Sequence, residues 1–510
     1  MNINIDPCKK SISQVIFYWC ALAYLAILPI SNTTALRNLL LFILVWFVVF
    51  FISFRRDRLE IDLSTGVGQL PWALITWALF LCLFPLWAVQ SDVAWHNLGG
   101  QWVQSILAWI VGIAAVLILG RHGPSLWVLA MASAFLVGVH LLLFVMAWSG
   151  ILGSNVPADM SATAVWAALA HTLDFSSTST STWRWQPFPW GFRGLDPMHG
   201  NLGYTACQAI ALFAVCFYLA WRDKIQARVW SAALGILLCF ISILVANSRG
   251  AVLFGFFVLI TTALISFFRF KNANPLTPVT EKKIRGSIFN LAMFALFSLV
   301  VFAVAQSVKH DVRWHTMFDK VKIGLLTEHP LDFLCNGVSS EMESKIRQSF
   351  SDREPAYADD LISGLKNQDG GRILLMRAGL ILVLENPRGL DGSRHSYQKL
   401  SEEKCGHPPV LQFSHSHQGW IDTALALGWL GALIFAWLML HFLHSGWKNL
   451  KNPVLRPWAF ALLLMSAFWI LRGFADSVYR EHYLQMQAFV LGYLYWRMKL
   501  LPEAPKETRG

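Results

Sequence analysis

Charge is scarce in this 510-residue chain: Asp, Glu, Lys and Arg make up 14% of it, against about 25% in ordinary globular proteins. That poverty excludes a cytosolic enzyme, and 36 Phe and 24 Trp exclude a disordered chain. Metal and nucleotide signatures are missing too. The eight cysteines include no Cys-x-x-Cys pair, so neither a zinc ribbon nor a redox motif is indicated. No Gly-x-x-x-x-Gly-Lys phosphate loop, no His-Glu-x-x-His and no Asp-x-Asp occurs, which removes support for an ATPase, a zincin or a metal-dependent sugar transferase. The nearest acidic pairs, Glu341/Glu343 and Asp352/Glu354, read as solvated loop charges.

In place of charge there is apolar length: 55% of residues are hydrophobic and the mean hydropathy is +0.49. The chain is therefore expected to be an all-α integral membrane protein, and its net charge of +11 speaks first to topology and not to nucleic acid. Apolar runs of about 20 residues, the length that crosses a hydrocarbon core, predict about twelve helices. They lie near 14–30, 36–54, 70–89, 102–120, 125–148, 201–221, 229–246, 251–268, 287–308, 419–443, 455–471 and 483–498. The first has basic residues before it but is longer than a signal peptide core, and reads as a retained anchor.

With both termini cytoplasmic, twenty-one Lys and Arg fall on that side and six on the other (Arg37, Arg184, Arg193, Arg249, Arg472 and Arg480), leaving out one very long loop. The positive-inside rule favours this orientation. Residues 149–200 and 309–418 then form long outer loops, where function tends to reside. The division expected is 1–308, carrying nine helices and the 149–200 loop; a 309–418 loop module; and 419–510, with three helices and a cytoplasmic tail. The module holds 15 acidic and 14 basic residues. Its apolar stretch Ile373 to Leu384 is too short to span and should lie at the interface or cap the bundle. Cys20, Cys82, Cys207, Cys216 and Cys239 sit in predicted spans as packing residues. Cys335 and Cys405 share the module and could join in an oxidising compartment, although spacing alone does not show that they meet.

Five groups of residues could carry chemistry. Arg249, in the turn Asn247-Ser248-Arg249-Gly250, is either an interfacial side chain reaching lipid phosphate or a bidentate anion clamp. Arg372, after Gly370-Gly371, is either solvated or placed with free helix N–H groups around an anion. His417, in Ser414-His415-Ser416-His417-Gln418-Gly419-Trp420, is a helix-end anchor or a proton acceptor for a hydroxyl. A metal on His415 and His417 is not expected, because a third ligand is lacking and helical spacing would separate the two. Arg472, Asp476 and Arg480, at i, i+4 and i+8, would share a helical stripe if the eleventh span extends outward, most simply as a salt-bridge ladder. Arg193, Asp196, His199 and Asn201, around the start of the sixth span, could line the same outer cavity.

The order of these parts resembles the O-antigen ligase family, within the wider ligase and polymerase superfamily. The resemblance rests on about twelve spans, the outer Ser248-Arg249-Gly250 turn between the seventh and eighth, and a long outer loop after the ninth. That loop carries Gly371-Arg372, apolar residues and Asn386-Pro387; His417-Gln418 then precedes the tenth span, with Gly428-Trp429-Leu430-Gly431 beyond. This chain has Gln418 where many members carry Asn, and Met376 where many carry an aromatic. The resemblance implies a GT-C-like bundle in a bacterial inner membrane, with the site facing the periplasm. It implies transfer of a glycan from undecaprenyl diphosphate to a lipid A-core hydroxyl, inverting and without metal or other cofactor. By motif, Arg249 and Arg372 hold the donor pyrophosphate and His417 is catalytic, with His415, Arg472, Asp476, Arg193 and Asn201 as secondary candidates. Related readings are an O-antigen polymerase or a protein O-oligosaccharyltransferase. A reading of another class is a twelve-helix transporter of a lipid-linked sugar, which would be expected to show repeated halves and broken helices.

Overall fold

A computed structural model describes residues 11–61, 64, 68–159, 161–173, 184–196, 200–223, 225–270, 298, 301–302, 304–306, 308–309, 316–366, 371–479 and 481–500. The regular elements among the described residues are all helices, with no strand among them. In chain order the first half contains α1 (Ile12–Ile27), α2 (Thr34–Phe54), α3 (Trp72–Leu83), α4 (Ser91–Leu119), α5 (Leu126–Ser133), α6 (Phe135–Trp148), α7 (Asn155–Asp159), α8 (Ala162–Leu173), α9 (Gly200–Arg222), α10 (Gln226–Val245) and α11 (Arg249–Phe270). The second contains α12 (Met317–Leu326), α13 (Pro330–Asn336), α14 (Ser340–Ser349), α15 (Pro355–Lys366), α16 (Arg372–Glu385), α17 (Ser396–Cys405), α18 (Gly419–Asn449), α19 (Arg456–Ala475) and α20 (Glu481–Lys499).

Seven of these helices are long and apolar enough to cross a membrane, and α5 with α6, bent by 42° at their break, adds an eighth if the pair is taken as one span. The shorter α1 and α3 and the terminal α20 cover three more of the expected spans. The ninth expected span, 287–308, lies for the most part outside the described residues. Long apolar side chains that stay exposed, such as Phe42, Trp46 and Val49 on α2, form the surface that a hydrocarbon solvent accepts. Two helices differ from their expected limits for identifiable reasons. α4 begins at Ser91, eleven residues before the apolar run, because its polar first turns are held by Asn97 Nδ2 and Trp102 Nε1 donating to the carbonyls of Asp391 and Gly392. α19 stops at Ala475, where Asp476 turns to extended backbone (φ −162°), so the Arg472–Asp476–Arg480 stripe does not continue as a helix. Arg480 itself lies outside the described residues.

The long loop between α11 and α18 is a folded unit with its own apolar core, built from Phe333, Leu361, Leu374, Leu375, Leu382, Tyr397 and their neighbours. α16 is the centre of that core. It buries Leu374, Leu375, Ala378, Leu382 and Val383, so the apolar stretch expected at the interface or as a cap on the bundle packs one face into the module's core. The core continues into the first two turns of α18 through Ile421, Ala424 and Leu425, which fixes the module to the bundle. Glu341 and Glu343 pair with Lys345 and Lys366 at the surface. Cys335 and Cys405 are bonded, closing a separation of 70 residues between α13 and α17. In a chain-entropy account a loop of that size is worth about 4 kcal/mol. Replacing both cysteines by Ser is expected to lower the melting point of the purified protein and to open the module to protease; an unchanged melting curve would show that the link adds nothing.

One loop interlocks with α18. Gly428 breaks that helix with φ 76° and ψ 174°, and the strand of chain from Pro387 to Gly392 runs through the break. Leu390 and Gly392 donate their N–H groups to the carbonyls of Leu425 and Ala426, at 2.9 Å each, and Trp429 N–H donates to Pro387 at 3.1 Å. The backbone groups freed by the break are thereby satisfied, as burial requires. Asp391, fully buried in this loop, accepts from Lys399, Ser396 and Ser393. The same segment joins α4 on its other side, so the module, α4 and α18 meet at one point.

Candidate active site

The chain before α18 cannot be helical, because Gln418 is already its N-cap, its side chain accepting from Ile421 N–H at 2.7 Å. Gln therefore does the capping that Asn would do in a shorter reach. Just before it, His417 adopts φ +58°, a left-handed conformation uncommon outside glycine. That turn folds His417 back onto His415: their ring centroids are 4.3 Å apart, and Phe413 stands edge-on to His417 at 5.7 Å. The expectation that spacing would keep the two histidines apart is thus corrected, since it assumed a helix where the chain turns.

Asp476 meets this turn from the end of α19. Its Oδ1 lies 3.6 Å from His417 Nδ1, and its Oδ2 accepts from Arg472 Nη2 at 3.2 Å and from the Tyr204 hydroxyl. Backbone ties fix the relative position of the two loops: Gly419 N–H donates to Asp476 O at 3.0 Å. Asp422, unremarked in the sequence, pins them a second time. Its carboxylate accepts from Ser416 N–H at 2.9 Å and from the Ser477 hydroxyl. A polar residue in the first turn of an apolar helix was the signal available, but its partners lie in two different loops.

Arg472 is 5% exposed. Its guanidinium lies 3.0 Å from the centre of the Tyr204 ring and 5.2 Å from that of Phe254, so an aromatic box and one carboxylate hold the buried charge. On its far side Nη1 faces Gly250, where an added Cβ would stand 3.5 Å away. The Ser248-Arg249-Gly250 turn is therefore a neighbour of the Arg472–Asp476–His417 row. It is set by Asn247 at φ 54° and packed on α9, Ser248 lying against Gly203. Arg249 is the first residue of α11 and half-buried.

Arg372 likewise opens its helix, α16, and is exposed. Gly379 of that helix packs against Ser416 and Ile421, so Arg372 stands two turns, about 10 Å along the axis, from the point where α16 meets the His417 turn. Of the residues around the sixth span, Asp196 is buried and accepts from Leu202 N–H at 2.9 Å, which makes it a cap for α9. Arg193 is half-buried in the loop before that cap. Asn201 lies in the first turn of α9, and its side chain and His199 fall outside the described residues. The residue of this region that reaches the row is Tyr204, one turn beyond Asn201 and absent from the sequence-based set. The structure thus joins His415, His417, Asp476 and Arg472 in one group beside the Arg249 turn.

A search of curated proteins found no match. Residues 234–436 match the family model described as O-antigen ligase; the segment contains Arg249, Arg372, His415 and His417, while Tyr204, Arg472 and Asp476 lie outside it. By that segment, set within an all-helical membrane architecture, the chain carries an O-antigen ligase domain over residues 234–436.

Proposed function

We propose that this protein is a membrane glycosyltransferase that moves a glycan from undecaprenyl diphosphate to a sugar hydroxyl of lipid A-core on the periplasmic face of the bacterial inner membrane. The observation that carries the reading is the juxtaposition of His417 with Asp476 and the buried Arg472, next to the turn that presents Arg249. A hydroxyl acceptor needs a proton acceptor, and a diphosphate leaving group needs fixed positive charge. This group of residues supplies both.

In the proposed step the acceptor hydroxyl loses its proton to His417 while its oxygen attacks the anomeric carbon. The bond from that carbon to the diphosphate oxygen breaks, undecaprenyl diphosphate leaves, and the configuration inverts. His417 Nδ1 faces Asp476, so Nε2 is the nitrogen directed to the acceptor. At 3.6 Å the carboxylate is beyond hydrogen-bond range, but its charge favours the imidazolium as it forms. Arg249 and Arg372 both begin helices, where a cation opposes the dipole unless an anion is bound. There they would hold the donor diphosphate together with the first-turn N–H groups of α11 and α16. The disulfide of the module fits an oxidising outer compartment, and both termini are then cytoplasmic.

The test is transfer by purified protein from undecaprenyl-diphosphate glycan to lipid A-core in the presence of EDTA, read as a mobility shift of the core lipid. A shift is expected. Its absence from folded protein would refute the ligase reading, and glycan extension or labelling of a protein acceptor would replace it with the polymerase or protein-glycosylating reaction. Movement of an intact lipid-linked sugar without cleavage would replace it with transport. In the same assay Arg249→Lys is expected to lose at least tenfold in rate, because an ammonium keeps the charge but not the two-pronged donor geometry. Equal rates for Lys and Arg would discard the bidentate clamp.

A further inference from the structure

His415, His417 and Asp476 each offer one ligand atom within 4.8 Å of the others, a convergence that the separation of 61 residues between His415 and Asp476 hides in the sequence. The 3.6 Å between His417 Nδ1 and Asp476 Oδ1 is too long for a hydrogen bond. It is close to the separation of about 3.4 Å between two donors on one tetrahedral Zn²⁺, given bonds of about 2.0–2.1 Å. His415 brings a third donor from a ring 4.3 Å away, centre to centre.

The surroundings of the three side chains are those of ligands. His415 Nδ1 is engaged by the Ser414 hydroxyl at 2.8 Å, so coordination through Nε2 would keep that bond, the usual support of a metal-bound imidazole. Asp476 Oδ2 is held by Arg472 and Tyr204, and Ser477 N–H donates to Oδ1 at 2.8 Å. That fixes the carboxylate while Oδ1 remains turned to His417. All three residues are half-buried, and a tetrahedral ion held by them would take a solvent molecule as its fourth ligand. Two imidazoles, a carboxylate and a solvent ligand suit Zn²⁺ better than Mg²⁺ or Ca²⁺, which prefer oxygen.

We propose that His415, His417 and Asp476 form a Zn²⁺ site whose occupation is incompatible with glycan transfer. The metal would bind the imidazole that must otherwise accept the acceptor's proton, so the ion acts as an inhibitor at this site. The inhibitory part rests on the ligase reading, whereas the site itself does not.

The experiment titrates Zn²⁺ into untagged full-length protein in detergent, using competition with a chromophoric chelator, and repeats the titration with Co²⁺ to record its visible spectrum. Expected are one tight ion per chain, a Co²⁺ band of tetrahedral intensity, and at least tenfold weaker binding in His415→Gln and in His417→Gln. The Co²⁺ spectrum of the unaltered protein keeps the test open if a variant fails to fold. Stoichiometric binding that survives in the doubly substituted chain, or no tight binding at all, would overturn the site. Transfer is then measured across the same Zn²⁺ range. Inhibition following occupancy, and relieved in His415→Gln relative to that variant's own metal-free rate, is expected. Unaltered or faster transfer at full occupancy would overturn the inhibitory role, and protein that transfers nothing even with EDTA fails the ligase reading and leaves the binding result standing.

Discussion

His417→Ala is expected to leave folded, membrane-inserted protein whose rate of glycan transfer is lower by about a thousandfold, within the range that positioned proton acceptors supply. Folding should survive because the imidazole lies in a turn, against His415 and Phe413, and belongs to neither apolar core. The bonds that hold the turn belong to its neighbours. Ser416 N–H reaches Asp422, Gly419 N–H reaches Asp476, and Gln418 caps α18. The measurement is single-turnover transfer across a pH series. A base must be neutral to accept a proton, so the wild-type rate falls towards acid pH, and the residual activity of the variant should lack that limb. A variant that keeps the normal rate would remove His417 from the chemistry. One that is slow but retains the acid limb would make it a positioning residue and assign the titration elsewhere.

The second large effect concerns stability. Gly389→Ala is expected to prevent accumulation of folded protein, read as the yield of monodisperse protein after detergent extraction. Gly389 has φ +77°, and an added Cβ would stand 2.2 Å from Gly428 N, 2.5 Å from Leu427 C and 2.9 Å from Ala426 O. All three are backbone atoms of α18, so no side chain can rotate away. Relief would require pulling the 387–392 segment out of the helix break, which also strands the carbonyls of Leu425 and Ala426 and the N–H of Trp429. Overpacking alone costs about 1–3 kcal/mol and a buried group left without its partner another 1–3 kcal/mol each. Their sum is comparable to a whole protein's stability of about 5–15 kcal/mol. Gly392→Ala is the matched comparison. Its φ is also positive, at 70°, yet the nearest neighbours of its Cβ would be the Leu98, Phe84 and Leu427 side chains at 3.4 to 3.8 Å, so that protein should fold. Equal yields from the two variants would show that the interlock is not a close contact.

The interlock bears on the site because α18 begins with the His417 turn and the module hangs on its first two turns. A straight helix from Gly419 onward would leave the 387–392 segment without partners. With the break, the module, α4 and α18 are tied together by backbone bonds within three turns of the histidines. A broken apolar helix was an expectation attached to a transporter; in this chain the break at Gly428 is filled by another part of the protein and carries a structural load.

The sequence by itself determined the membrane character, the order of helices and the segments of interest. Apolar run length and the placing of Lys and Arg are local properties, and a hydrocarbon solvent reads them locally. Short motifs around Arg249, Arg372 and His417 were likewise visible because each is contiguous. Only the tertiary structure decided what surrounds His417. Tyr204 and Asp476 are 272 residues apart, and the closeness of His415 to His417 depends on one residue with positive φ. The structure also ended α19 at Asp476, turning an expected helical ladder into a carboxylate shared by Arg472, Tyr204 and the histidine turn. The same holds for the cysteine pair and for Gly428, whose partners are backbone atoms, which carry no residue identity for a sequence to display.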